Sequence, residues 1–316
     1  MAHAAETERR RGIALCLVSA CGFGLMAIFA KEAYRAGLGV TSLLAARFVV
    51  AAAIFWVVVA VRPAPRPPRR LVGACLLLGA AGYAAQAGFF FSALRHIDAS
   101  LTSLLLYTYP ALVFCAAVAL RREHFTAAKA GALVLASGGA ALVLLGGGTG
   151  GLEATGVLLA LGAAVTYTTY ILVADGIVAR LDPFLLGALV TTGAAATFLV
   201  AGGVSGSLAF TGGGWIWIGA IALASTVLPI VTFMLGLKSV GASTASIVST
   251  VEPVVTVALA VALFGEGLGP LQLLGGVLVL AAVVALQSRG VSVRRHVPPA
   301  HATALAPARA PASEAA

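Results

Sequence analysis

The sequence predicts an all-α polytopic membrane protein, with ten transmembrane helices arranged as two inverted five-helix repeats. Three observations predict it. Of the 316 residues 60% are hydrophobic and only 10% are charged, against about 25% charged in soluble domains, and the mean hydropathy is +1.04. Ten apolar runs each approach the ~20 residues that a helix needs to cross a ~30 Å hydrocarbon core. The second half of the chain also repeats the first.

The elements follow in order. The first run, 12–30, comes after Arg9-Arg10-Arg11 and could pass for a signal peptide, but it is long for one and nine more runs follow, so it reads as a helix. The second, 41–61, carries Arg47 about six residues in. The third, 71–93, aligns Tyr83, Gln86 and Phe90 on one face. In the fourth, 99–120, Ser103, Tyr107 and Pro110 line up with Thr102 and Tyr109 beside them. The fifth, 127–146, runs into "GGGTGG", which matches a dinucleotide-binding pattern in letters only, because no strand precedes it. The sixth, 154–174, presents Thr166, Tyr167 and Tyr170. The seventh is 184–203, and the eighth, 214–236, opens on Trp215 and Trp217, residues suited to a membrane interface. The ninth, 243–264, holds Glu252 and Pro253, with Ser249 and Thr256 on the face of Glu252 and Ser246 and Thr250 on the next stripe. The tenth is 271–287. Residues 1–11 form a short N-terminal segment. Residues 288–316, rich in Pro and Ala, read as a disordered tail.

Charge sets the expected orientation. With the N-terminus in the cytoplasm, sixteen Lys and Arg fall on inside segments and three, Lys31, Arg35 and Arg95, outside. The positive-inside rule therefore puts both termini in the cytoplasm. The net charge of +9 serves orientation rather than nucleic-acid binding. Cys16, Cys21, Cys75 and Cys115 all lie in apolar runs without metal-ligand spacing and read as small buried hydrophobes. The Arg and Ala bias points to a GC-rich bacterial genome, hence a bacterial inner membrane. No metal, cofactor or catalytic motif is expected, and oligomeric state is not legible.

Displaced by 143, Leu94–Glu123 falls on Leu237–Glu266 with ten identities and no gap, among them Ser100/Ser243, Pro110/Pro253 and Glu123/Glu266. The chain thus divides into repeats 12–146 and 154–287. Five helices per repeat is an odd number, so the second is inserted upside down. Inverted repeats place a substrate site near the midplane and rock around it, the geometry of alternating access.

Glu252 is the one ionisable group in its span. A charge at that depth costs about 2.5–3.5 kcal/mol on insertion scales, so it should face a wet cavity or the bundle interior. It would serve there in proton coupling or in holding a substrate amine; the structural alternatives are an ion pair with Arg47 or a hydrogen bond to backbone groups that Pro253 frees. Pro110 and Pro253 should kink their helices. The expected cavity comprises Phe23, Tyr83, Gln86, Thr102, Tyr107, Tyr109, Thr166, Tyr167, Tyr170, Ser246, Ser249 and Thr250. Arg47 is assigned a gating or structural role, and Glu123 and Glu266 cap-like roles at turns.

The motifs "RF" at 47–48, "YTYPALVFCAAVALRRE" at 107–123 and "EPVVTVALAVALFGEGLGPLQLLGG" at 252–276 resemble those of the EamA-like transporters, of the drug/metabolite transporter superfamily. The resemblance covers about 12–287. It implies a proton-linked exporter of amino acids or small metabolites, with an importer or facilitator of the same fold as the alternative and a membrane-embedded enzyme disfavoured.

Overall fold

The computed structural model describes residues 2–62, 67–121, 126–146, 153–178, 181–210 and 212–288. Among them every regular element is helical. The disordered tail expected at 288–316 lies, beyond Ser288, outside the described residues, as does Glu123. Among the described residues, eight helical stretches are long and apolar enough to cross a membrane, and two shorter apolar ones, Ala130–Leu145 and Pro270–Ala285, occupy the fifth and tenth expected spans.

The first helix, α1 (Ala2–Arg35), extends ten residues before its apolar run. Nothing there breaks a helix, and Glu6 pairs with Arg10 one turn on. It is followed by α2 (Val40–Ala60), and then by a third span built as α3 (Arg69–Leu77), a π turn (Leu78–Tyr83) and α4 (Ala84–Ala93). The fourth expected span is broken into α5 (Ala99–Leu106) and α6 (Tyr109–Ala119). After α7 (Ala127–Leu145), α8 (Ala154–Val178) and α9 (Pro183–Ser205), the eighth span is again interrupted. It consists of α10 (Trp215–Ala222), a π turn (Leu223–Val227) and α11 (Leu228–Ser249). Helix α11 bends at Gly241, whose φ of 79° and ψ of 165° belong to a region essentially reserved for glycine. This bend marks the junction with the ninth expected span. Then come α12 (Val251–Phe264) and α13 (Pro270–Ser288).

The two proline breaks share one local design. Thr108, just before Tyr109-Pro110, turns its hydroxyl back to the Leu105 carbonyl at 2.7 Å. Thr250, before Val251-Glu252-Pro253, does the same to Ile247 at 2.7 Å. Proline removes an N–H and crowds the carbonyl four residues earlier, and the threonines satisfy carbonyls of the turn so loosened.

Packing runs across the chain rather than between neighbours in sequence. Helix α1 lies along α11 and α12, α8 along α4, α5 and α6, α2 along α9, and α7 along α13. At the face carrying Lys31, a large apolar cluster unites α1, α2, α4, α5, α8, α9, α10 and α12 around Ile28, Phe48, Phe91 and Ile218, with a second beside it at Ile97, Leu101 and Val143. Toward the opposite face the core divides into separate clusters, one at Cys75 and Leu189, one at Phe114 and Ala136, one at Phe55 and Phe184. A cavity lies against the largest cluster, which contributes Ala27, Ala87, Phe90, Phe91 and Leu106 to its wall. Large apolar side chains such as Val57, Val134, Val200 and Val277 remain exposed on the perimeter, as expected of a surface solvated by lipid tails.

Candidate functional site

The cavity has a volume of about 300 Å³ and is walled by α1, α2, α4, α5, α6, α8, α11 and α12, with Tyr83 at the end of the first π turn. Of the residues expected there, Phe23, Tyr83, Gln86, Tyr107, Tyr109, Tyr167, Ser249 and Glu252 all line it. Arg47, expected as a gating or structural group, lines it too. Among the described residues of the lining, Arg47 is the one cation and Glu252 the one anion.

The remaining expected residues are differently placed. Thr102 is fully buried and donates to the Asp98 carbonyl at 2.8 Å. Thr166 and Thr250 bond the Gly162 and Ile247 carbonyls at 2.8 and 2.7 Å. Each threonine spends its hydroxyl on its own helix. Tyr170 stands behind the wall, its ring 5.7 Å from Tyr83 and 6.2 Å from Tyr167. The side chain of Ser246 lies outside the described residues.

Glu252 is placed by close backbone contact. At Gly24, α1 comes so near α12 that a Cβ would lie 2.9 Å from the Glu252 carbonyl oxygen. Thr256, one turn on, donates to the Gly24 carbonyl at 2.9 Å. Pro253 leaves the Ser249 carbonyl without its helical donor, and the Tyr107 hydroxyl donates to that oxygen at 3.1 Å. The same phenol neighbours the Glu252 carboxyl. Among the described residues no cation lies within 4.0 Å of Glu252, so the ion pair with Arg47 is not formed.

Arg47 is 1% exposed. Its Nε donates to Thr226 Oγ1 at 2.9 Å and its Nη2 to the Tyr83 hydroxyl at 3.4 Å. Thr226 belongs to the second π turn and Tyr83 ends the first. The Thr226 hydroxyl in turn donates to Ile221, five residues back, at 2.8 Å, which is the spacing of a π turn. Guanidinium carbon to ring-centroid distances are 4.9 Å for Phe48 and 5.1 Å for Phe91. Such cation–π contacts contribute about 0.5–2 kcal/mol each, less than the several kcal/mol that burying an ion costs.

Aromatic rings connect the two charged ends. Phe48 meets Tyr83 at 5.3 Å, Tyr83 meets Tyr170 at 5.7 Å, Tyr167 meets Tyr109 at 4.6 Å and Tyr109 meets Tyr107 at 5.8 Å. Phe90, Phe91, Phe233 and Met234 complete the apolar part. Sequence reasoning did not single out Thr226. Its signal was a hydroxyl residue three positions before Pro229 in an apolar run, which helical periodicity does not distinguish from a back-bonded threonine.

Glu266, expected to cap a turn, caps a distant helix. Its carboxylate accepts from the Ala99 N–H at 2.9 Å, the Ser100 N–H at 2.9 Å and the Ser100 hydroxyl at 2.8 Å, supplying the acceptors that the start of α5 lacks. Asp98 sits at the N-cap position without capping. Lys31 reaches both acids, at 3.3 Å from Glu266 and 3.8 Å from Asp98. Burial raises the Glu266 carboxyl, but the Ser100, Ala99 and Lys31 contacts outweigh it and hold the group below its ordinary value. Asp98, with burial and Glu266 beside it, is pushed up. No group of three or more His, Cys, Asp or Glu able to hold a metal occurs among the described residues.

The model of the EamA-like transporter family matches residues 10–145 and again 154–287. An uncharacterized transporter of Bacillus subtilis, YcbK, is 25% identical over 284 residues, covering 85% of this chain and 90% of the relative. An uncharacterized transporter of Archaeoglobus fulgidus is 35% identical over 72 residues, 23% of this chain and 27% of its own length. A solved crystal structure superposes with a TM-score of 0.62 at 20% identity, covering 88% of this chain and 97% of that one; at that identity the likeness is one of fold. The chain belongs to the EamA-like transporter family: it is a multi-pass membrane protein of a transporter family.

Proposed function

We propose that this EamA-like transporter is a secondary active, proton-coupled exporter of amino acids or other small metabolites, working by alternating access in a bacterial inner membrane with both termini cytoplasmic. The observation that carries the reading is Glu252, a carboxylate on the wall of an aromatic cavity with no cation within 4.0 Å among the described residues. Two states avoid an unpaired anion in a low-dielectric site. Either the carboxyl is protonated, or it is ionised and paired with a cationic group of the cargo. Proton and cargo then compete for one group, and each is carried only in the absence of the other.

Ten spans in two inverted repeats provide the moving parts. Support comes from the double family match, from the paired proline breaks, and from cross-packing in which the first helix of each half lies along the third and fourth spans of the other. On the Lys31 face the two halves are joined by the largest apolar cluster and by Glu266 on the start of α5. Opening that face requires the α5–Glu266 contact to part while the divided clusters of the other face come together.

Proteoliposomes test the coupling. An imposed proton gradient should drive uphill flux of the cargo that an export screen identifies, and Glu252→Gln should abolish that drive. Unchanged pH-dependent flux in the variant would overturn the role of Glu252. For orientation, a cysteine at Ala36 should react with a membrane-impermeant thiol reagent on intact cells; reaction only after permeabilisation would reverse the topology.

A further inference from the structure

We propose that Arg47 is the anion receptor of the cavity, so that the transported molecule carries a carboxylate. The inference rests on the reading of this cavity as the cargo site and names the class of cargo it takes. A guanidinium is ionised at any accessible pH, so unlike Glu252 it has no neutral state to adopt when unpaired. Buried in a membrane, it needs a counter-anion or a full set of acceptors. It has neither among the described residues. Two of its five N–H groups are engaged, one of them at the long distance of 3.4 Å, and no carboxylate lies within 4.0 Å.

The surroundings restrict the orientation of the group without neutralising it. Thr226 takes Nε, the Tyr83 hydroxyl takes one Nη2 hydrogen, and the rings of Phe48 and Phe91 lie against the guanidinium carbon. The other Nη hydrogens keep their capacity, and a carboxylate matches paired guanidinium N–H donors in spacing and charge. A structural arginine would be expected to end in a carboxylate or in backbone carbonyls, as Arg35 ends on Glu32 at 2.6 Å.

The two π turns explain why the receptor is held in this way. One acceptor comes from the turn Leu78–Tyr83 and the other from the turn Leu223–Val227, on opposite halves of the chain. A carboxylate takes the Nη hydrogens that these two acceptors leave free, so the link between the halves holds the guanidinium in place for the cargo. Between Arg47 and Glu252 the wall is aromatic, which suits an amphipathic body between an acid and a donor group.

Ligand-observed NMR on the purified full-length protein in detergent gives the test. The probes are 3-phenylpropionate and its methyl ester, which differ in charge and little in shape, with chloride as the inorganic competitor. The acid should bind saturably in the low millimolar range and the ester at least tenfold more weakly. Arg47→Gln should erase that preference, Glu252→Gln should preserve it, and Thr226→Val should reduce acid affinity about three- to tenfold while keeping it. If Arg47→Gln cannot be purified folded, the wild-type and Thr226→Val comparisons decide. Equal binding of acid and ester, no saturable binding of the acid, retention of the preference in Arg47→Gln, or displacement of the acid by chloride at equal concentration would each overturn the proposal. Loss of gradient-driven flux alone bears on proton coupling instead, because carboxylate binding does not require a proton gradient.

Discussion

Helix α12 has a glutamate near each end, and the two live in opposite circumstances. Glu266, just past the last turn, has three hydrogen bonds and a lysine. Glu252, in the first turn, has a shared phenol and a cavity. The same side chain is an architectural part where its acceptors are filled and a reactive one where they are not. Apolar context alone does not tell them apart, since both lie within or beside greasy runs. What distinguishes them is the partner count in three dimensions.

The strongest way to break this contrast is to neutralise both acids. Glu252→Gln should remove at least 90% of gradient-driven flux, about 1.4 kcal/mol or more in rate terms, while the unfolding temperature in detergent stays close to wild type. Glu266→Ala should do the reverse in stability. It leaves two buried N–H groups without an acceptor, at about 1–3 kcal/mol each, and thermal unfolding should show the loss. Equal effects of the two substitutions on both measurements would erase the distinction.

Acid sharpens it further. The Glu266 carboxyl is held below its ordinary 4.5, so its bonds stabilise the fold fully above that value and fail as pH falls through the lower folded value. Asp98, pushed above its ordinary 3.8, acts with opposite sign, and its protonation favours the fold. Stability measured downward from pH 6 should therefore hold or rise slightly before it falls below about pH 4.5. Glu266→Gln should remove the fall and Asp98→Asn the rise.

The smallest effect lies at the break beside Glu252. Tyr107→Phe deprives the Ser249 carbonyl of its donor and should cost about 1 kcal/mol. Pro253→Ala returns a backbone N–H to that carbonyl, so in the double variant the tyrosine becomes dispensable. A coupling of about 0.5–1.5 kcal/mol in the double-mutant cycle would follow; strict additivity would mean that the two groups do not share the carbonyl.

Much of the fold was legible because span length and proline position are one-dimensional properties. The expected run 41–61 became Val40–Ala60, and Pro110 announced the gap between Leu106 and Tyr109. Among the residues expected at the cavity, all the tyrosines but Tyr170 were found on its wall, since a phenol in an apolar run must find water or an acceptor. Threonines were not: Thr102, Thr166 and Thr250 satisfy themselves on their own helices, and no pattern in the sequence tells an inward hydroxyl from a back-bonded one. Thr226 and the Ser100–Glu266 contact were hidden for a different reason. The first depends on a fifth-residue hydrogen bond, the second joins residues 166 positions apart.

The π turns also make the cavity a matter of counting. A π turn holds one residue more than the α turn it replaces, so a residue could be lost from Leu78–Tyr83 with the helix on either side kept in phase. The same loss from the regular helix α4 would turn everything beyond it by about 100°, and Phe90 and Phe91 would rotate off the wall though every side chain kept its identity. The shape of this site is therefore encoded partly in the count of residues along its walls, and a single deletion in α4 would rewrite it more thoroughly than most substitutions within it.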